Sequence, residues 1–540
     1  MNEKAPEPSN PTRLRDFAFV RSKLLARDEI AFLDVREEAP HAEGHPLFAA
    51  NFPYARIELD AYTKLPRRDV PVVVIDDGEG LAAAAAERLW DLGYTDVGIF
   101  EGGIEGWRSS GGELFIDVNA PSKAFGELME SMCHTPSLPA EEVKSLIDAD
   151  ADIVVVDVRR FDEYRTMAIP TGINVPGAEL VLRVPDIAQR PETKVIVNCA
   201  GRTRSMIGAQ SLINAGLPNQ VVALRNGTIG WTLANQSLAF GQSRTFGETP
   251  ESSRQTAAQR ARHVADRAGV KRAAVQDLAA WTQQAGRTTY FFDVRSIDEY
   301  TAGHLPGFVG VPGGQLVQET EMYAPVRGAR IVLVDDDGAR ANMTASWLAQ
   351  MAWEAYVVDG LDPAAFSQAG AWIPRIAALP QNAHVTPSAL HDSLQNGEED
   401  IVIVDLAKHR DYRERHIPGA WYVLRSQLPQ AVESLPRAAR YVVACPDGVL
   451  SEFVAPELAQ LVDGEVTVLQ GGTRAWEDLG FDLESGDGRR ASPPIDRYPR
   501  PYEGTDAPAE AMQAYLDWEF GLIAQLERDA THFFQPLAPD

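Results

Sequence analysis

Four stretches decide the fold: AFLDVRE (31–37), IVVVDVRR (153–160), YFFDVRS (290–296) and IVIVDLAK (401–408). Each is a short run of β-branched or aromatic residues ending in an acid, namely Asp34, Asp157, Asp293 and Asp405. The runs are apolar throughout rather than alternating, as in a strand buried on both faces of a parallel sheet. About forty residues later each repeat has a second such strand: VVVID (72–76), VIVN (195–198), VLVD (332–335) and YVVA (441–444). A short loop, a helical segment and a third strand follow. Trp107, Trp231, Phe366 and Trp476 then recur about thirty residues past the loop.

This alternation predicts an α/β architecture of four repeats, each a parallel β-sheet flanked by helices on both faces. The divisions expected are 1–120, 121–250, 251–380 and 381–490, with a proline-rich segment and a C-terminal helix over 491–540. Adjacent units, one with two and three with four, are expected to pair as tandems. The helix in AEAMQAYLDWEFGLIAQLERDATHFF (509–534) is expected to pack on the body or on a second subunit, the latter giving a homodimer.

The 540 residues include 45% hydrophobic ones, enough for a core in each unit. The formal net charge of −27 argues against nucleic acid and anionic membrane surfaces as partners. The start, MNEKAPEPSNPTRLRDF, has no apolar core of a secretory signal, and no run of about 18 apolar residues is present. Three widely spaced cysteines, Cys133, Cys199 and Cys445, form neither a disulfide framework nor a zinc site. A reducing cytoplasm is the expected location, and no metal or cofactor is called for.

Ligands of such sheets bind where strands lead into helices. Only two of the four second-strand loops hold a cysteine. Loop two reads Cys199-Ala200-Gly201-Arg202-Thr203-Arg204-Ser205, and loop four Cys445-Pro446-Asp447-Gly448. Loops one and three have Asp77 and Asp336 at the cysteine position. Inward N–H groups, a helix N-terminus and the cations of Arg202 and Arg204 are expected to lower the Cys199 pKa by a unit or more from about 8.5. The same donors, Ala200 to Ser205, would hold an anionic substrate. Cys445 is a second candidate, disfavoured by the neighbouring Asp447. Cys133 reads as an incidental thiol, and Asp157 with Arg159 as a structural pair.

Four elements in register resemble the rhodanese (thiosulfate sulfurtransferase) family over about 30–490: the DVR strand end, an HxPG-type segment, the Cys loop, and a Gly-Gly…Gly-Trp stretch. The HxPG-type segment reads AIPTGINVPGA (168–178), GHLPGFVGVPGG (303–314) and HIPGAWYV (416–423), and is degraded to GHPLFAANFP (44–53) in unit one. The resemblance implies a catalytic loop running from Cys199 to Arg204. It also implies ping-pong transfer of sulfur from thiosulfate or a similar small donor to cyanide or a thiol through a Cys199 persulfide. Units one and three match the family's inactive domains. Gly201 stands at the third loop position, where many members have it at the fourth. Two other readings remain: a scaffold of repeats that binds sulfur-metabolism partners, and a phosphatase or arsenate reductase. The latter is disfavoured because the residue six after Cys199 is Ser205 rather than Arg.

Overall fold

The computed structural model describes residues 13–397, 400–503 and 507–538. The opening residues 1–12 of the first expected division, and parts of the last two, therefore lie outside the described residues. The acid-terminated runs form the strands Ile30–Asp34, Ile153–Asp157, Thr289–Asp293 and Ile401–Asp405. Each pairs in parallel with the second strand of its own unit: Val72–Ile75, Lys194–Asn198, Arg330–Val334 and Arg440–Ala444. Four sheets result, with helices between strands that cover both faces.

The recurring elements of the repeat have packing reasons. In units one to three the Arg of Asp-Val-Arg folds back on its own Asp and also donates to the HxPG-type segment. Arg159 donates to Asp157 (2.9 and 2.7 Å) and to the Met167 carbonyl (2.6 Å), all buried. Arg36 and Arg295 repeat this on Asp34 and Asp293, and on the carbonyls of Gly44 and Gly303. Unit four has Ala407 in place of Arg, and burial pushes its unpaired Asp405 up to about 7. Trp107, Trp231 and Trp476 are buried, and each indole N–H donates to a carbonyl six residues on.

The units do not pair as one with two and three with four. Unit two packs on unit three, and unit one on unit four. Between two and three, the backbones at Gly177 and Gly314 meet so closely that a Cβ on Gly314 would lie 3.3 Å from the Gly177 nitrogen. Arg340 of unit three also donates to Glu179 of unit two at 2.9 Å. Between one and four, buried Arg425 grips buried Glu58 with two bonds of 2.6 and 2.7 Å. The repeat pattern does not reveal this pairing because a glycine-lined approach and a buried ion pair leave no period in the chain.

Unit three also lends a strand to unit one. Val326–Arg327 joins the edge of Ile30–Asp34 antiparallel, in otherwise parallel sheets. The cores merge accordingly: one apolar cluster runs through units one, two and three, while unit four keeps clusters of its own. The connector helix Ala120–Cys133 lies within that merged core, buried even at Lys123 and Glu127. The tail helix Ala509–Asp529 packs against it, within the same chain.

The contact between units two and three gives a test. A Cβ at Gly314 would meet unit two first, at 3.3 Å from the Gly177 nitrogen and 3.5 Å from the Ala178 nitrogen. Gly314→Val should cost about 1–3 kcal/mol of stability through overpacking. The urea unfolding midpoint reads this, and an unchanged midpoint would mean that the two units do not meet there.

Candidate active site

Cys199 stands at the carboxyl end of the strand Lys194–Asn198, four residues before the helix Thr203–Asn214. The outside of the loop is tied down by the segment after the third strand. Thr228 and Ile229 donate their N–H groups to the carbonyls of Cys199 and Ala200, both at 3.0 Å, and Thr228 Oγ1 adds a bond to Ala200. Gly227 permits this with a φ of +54°, and any Cβ there would strike the Cys199 carbonyl. With the carbonyls turned outward, the N–H groups of Gly201, Arg202, Thr203 and Arg204 have no protein acceptor among the described residues. They open a helix whose dipole favours an anion at the same point.

The other three loops have the same shape, but in each a carboxylate of the chain itself accepts from loop N–H groups, from four of them in unit three and from a single one in unit four. In unit one, Asp76 accepts from the N–H groups of Gly78 (3.3 Å) and Ala82 (3.0 Å). In unit three, Asp335 accepts from Gly338 (2.9 Å) and Ala341 (2.7 Å), and Asp337 from Ala339 and Arg340. In unit four, Asp447 accepts from Val449 at 3.1 Å and lies 3.6 Å from Cys445 Sγ, and Pro446 removes one donor outright. Unit two has Asn198 where units one and three have Asp76 and Asp335. Its amide is directed to Asp157 instead (2.9 Å).

The Cys199 thiol is 1% exposed and bonds to Ser205 Oγ at 3.3 Å, and Ser205 in turn donates to the Arg202 carbonyl. Contrary to the expected lowering, its pKa is raised. Burial is the main cause, opposed by the charge of Arg204 and by bonds from Ser205, and assisted by nearby Glu519. The two arginines are not equivalent. Arg204 faces the thiol electrostatically while donating two parallel hydrogen bonds to the Glu163 carboxylate (2.8 Å each), whose carboxyl falls to about 2. Arg202 turns away: it pairs with Glu127 (2.8 and 2.9 Å) and Glu130, and lies 4.2 Å over the Phe520 ring. Its cation is neutralised by the connector helix, so the loop is less basic than its sequence. In unit four, Cys445 is equally buried and its thiol also rises, with the Asp447 charge adding to burial. Cys133 ends the connector helix and bonds to the Leu537 carbonyl. Among the described residues no group of His, Cys, Asp or Glu is arranged to hold a metal ion.

The loop sequence gave no sign of what covers it. Tyr515 and Glu519 of the tail helix press on Gly201; a Cβ there would meet the Tyr515 ring at 3.0 Å. Tyr515 donates to Glu519 Oε1 at 2.7 Å, while Glu519 Oε2 is buried without a partner. Lys123 of the connector and Tyr502 of the tail complete the wall, the ammonium lying 3.0 Å from Asp117 and 3.3 Å from the Tyr502 hydroxyl. The space left at the thiol is about 20 Å³, room for about one water-sized occupant. Beside it lies a cavity of about 970 Å³ between the units. Ser122, Thr203, Arg204, Gln318 and Tyr502 line both spaces and form the partition.

A model of the Rhodanese-like domain matches residues 21–110, 139–234, 274–360 and 386–479, about two thirds of the chain. The crystal structure of a thiosulfate sulfurtransferase from Pseudomonas aeruginosa is 59% identical, with a TM-score of 0.96 over 97% of this chain and 100% of that one. The thiosulfate sulfurtransferase GlpE of Coxiella burnetii (strain RSA 493 / Nine Mile phase I) is 31% identical over 80 residues, 15% of this chain and 75% of GlpE.

The cover should respond to pH. Burial and repulsion by Glu127 raise Glu519 from 4.5 to about 8. Between those values the folded chain holds a proton that the unfolded chain releases, so this group's contribution to stability falls as pH rises. The melting temperature of the natural protein, relative to Glu519→Gln, should therefore drop from the acidic to the basic end of that window. Parallel pH profiles for the two proteins would contradict the placement of Glu519.

Proposed function

The chain belongs to the family of rhodanese-like domain proteins, and from that premise we propose that it is a thiosulfate sulfurtransferase with Cys199 as sulfur carrier. The observation that carries this reading is the set of N–H groups around Cys199, left without a protein acceptor in unit two among the described residues and taken wholly or in part by a carboxylate in the other three. The Cys199 thiolate attacks the sulfane sulfur of thiosulfate. The S–S bond of the donor breaks, sulfite leaves with its electron pair, and Cys199 retains a persulfide. An acceptor, cyanide or a thiol, then takes the outer sulfur and returns Cys199 to the thiolate.

Ala200 to Ser205 hold the substrate in this reading. The N–H groups of Gly201 to Arg204 solvate the anionic persulfide, Arg204 supplies the facing charge, and Ser205 turns its donors to the sulfur once the thiol ionises. Lys123 and Tyr502, from outside the loop, are placed to meet the sulfonate oxygens. The space at the thiol is too small for thiosulfate, so the partition around Tyr502 or the tail helix must yield for the donor to enter. Units one, three and four are structural, each loop closed by its own acid, and Cys445 does not turn over. The division into residues 1–120, 121–250, 251–380, 381–490 and a tail fits one working domain among three supporting ones. Three free thiols and no helix long and apolar enough to cross a membrane among the described residues support a reducing, cytoplasmic setting.

Incubation with thiosulfate and peptide mapping under non-reducing conditions tests this. The Cys199 peptide should gain one sulfur, and those of Cys133 and Cys445 none. Cys199→Ala should lower thiocyanate formation from thiosulfate and cyanide to background. No gain at Cys199 would overturn the reading. Because burial raises the thiol, loading should also accelerate as pH rises above neutrality, and Arg204→Ala should shift that rise further upward.

A further inference from the structure

Cyanide needs no more room than the loop itself, yet the partition separates Cys199 from a cavity of about 970 Å³. That volume is at the upper end of sites that hold organic ligands. The cavity lies where the four units and the tail converge. The short helices that follow the first strands line it together, with Glu38, Phe161, Ile297 and Arg410 as their contributions. Its walls are largely apolar, through Ile207, Phe246, Met322 and Trp347 among others.

Its charges are uneven. Arg160 and Arg204 are paired with Glu163, and Arg497 and Arg500 with Glu503. Lys408 and Arg410 differ: their side chains have no ion-pair or hydrogen-bond partner among the described residues, and both line the cavity from unit four. Of the acids nearby, buried Glu37 feels the charge of Lys408 without a bond to it, Asp496 accepts from the His409 N–H at 2.7 Å, and Asp411 lies in the first turn of its own short helix. In a chain with a net charge of −27, two cations without an ion-pair partner at an apolar chamber define one end of an anion site. The other end is the partition at Cys199.

We propose that this chamber is the acceptor site, and that it takes an organic thiol carrying carboxylate groups. The carboxylates face Lys408 and Arg410, the carbon frame lies along the apolar wall, and the sulfur reaches Cys199 past Tyr502. Unit four, whose own cysteine loop is closed, thereby serves the site of unit two. The chemistry rests on the persulfide reading above. The acceptor thiolate attacks the outer sulfur, the S–S bond to Cys199 breaks with its electron pair going to Cys199 Sγ, and the outer sulfur leaves as the acceptor's persulfide. No oxidant or reductant is needed.

Glutathione serves as the anionic probe, and cysteamine and cyanide as controls without a carboxylate. In Lys408→Ala/Arg410→Ala, both exposed positions, the KM for glutathione should rise about tenfold, while values for cysteamine, cyanide and thiosulfate stay within about twofold of the natural protein. Equal changes for all acceptors, or none for glutathione, would overturn the proposal. A second arm is independent of turnover: S-methylglutathione, which cannot accept sulfur, is titrated calorimetrically into Cys199→Ser. Binding that is lost when Lys408→Ala and Arg410→Ala are added to Cys199→Ser supports the chamber as the acceptor site. Absent binding, or binding indifferent to Lys408 and Arg410, overturns it. Failure of thiosulfate to load Cys199 would instead sink the transferase reading, while the titration would still report on the chamber.

Discussion

A backbone N–H buried at a strand-to-helix turn must find an acceptor, because leaving it bare in a dry interior costs about as much as a lost hydrogen bond. Four equivalent turns in this chain face that requirement. Three meet it wholly or in part with their own carboxylates: Asp335 with Asp337 wholly, Asp76 and Asp447 in part. The fourth, at Cys199, does not, because Asn198 replaces the acid and directs its amide to Asp157. An anion from outside, or the sulfur of Cys199 once ionised, is the acceptor that this turn lacks. A carboxylate among the loop amides therefore separates three of the loops from the one at Cys199, as much as the positions of the cysteines do. Cys445 is intermediate: it has the thiol and the N–H groups of Leu450 and Ser451 beside its sulfur, but Asp447 takes the Val449 N–H and faces the sulfur at 3.6 Å.

The charges around the site follow the same logic. A buried arginine must be paired, and both loop arginines are, Arg202 with Glu127 and Glu130, Arg204 with Glu163. What the thiol experiences is the remainder, a single favourable charge from Arg204 against strong burial, so it rests protonated beneath its cover. The cover itself is built from outside the domain. Lys123 belongs to the connector, and Tyr502, Tyr515 and Glu519 to the tail, so the chain beyond the repeats completes the site.

Much of the fold was legible in the sequence because its determinants are local. Apolar runs ending in Asp34, Asp157, Asp293 and Asp405, a second strand about forty residues on, and a recurring Trp each state a packing requirement in a short window. Cys199 was legible for the same reason, standing between such a strand and a helix. What escaped is nonlocal. The partner of Arg202 lies 75 residues away and that of Arg425 lies 367 residues away. The pairing of unit two with three depends on Gly177 and Gly314 having no side chain, which no pattern of residue types announces. Asp76 and Asp335 were visible as residues but not as ligands of their own loops, since a side chain's direction is set by the turn it closes. The raised thiol follows from burial under a helix that begins about three hundred residues later.

The most direct measurement is a crystal structure of the protein after exposure to thiosulfate. The account predicts an added sulfur on Cys199 alone, within hydrogen-bonding reach of the N–H groups of Gly201 to Arg204, with the loops at Asp76, Asp335 and Asp447 unchanged. An added sulfur on Cys445, or one on Cys199 turned away from those amides, would contradict it.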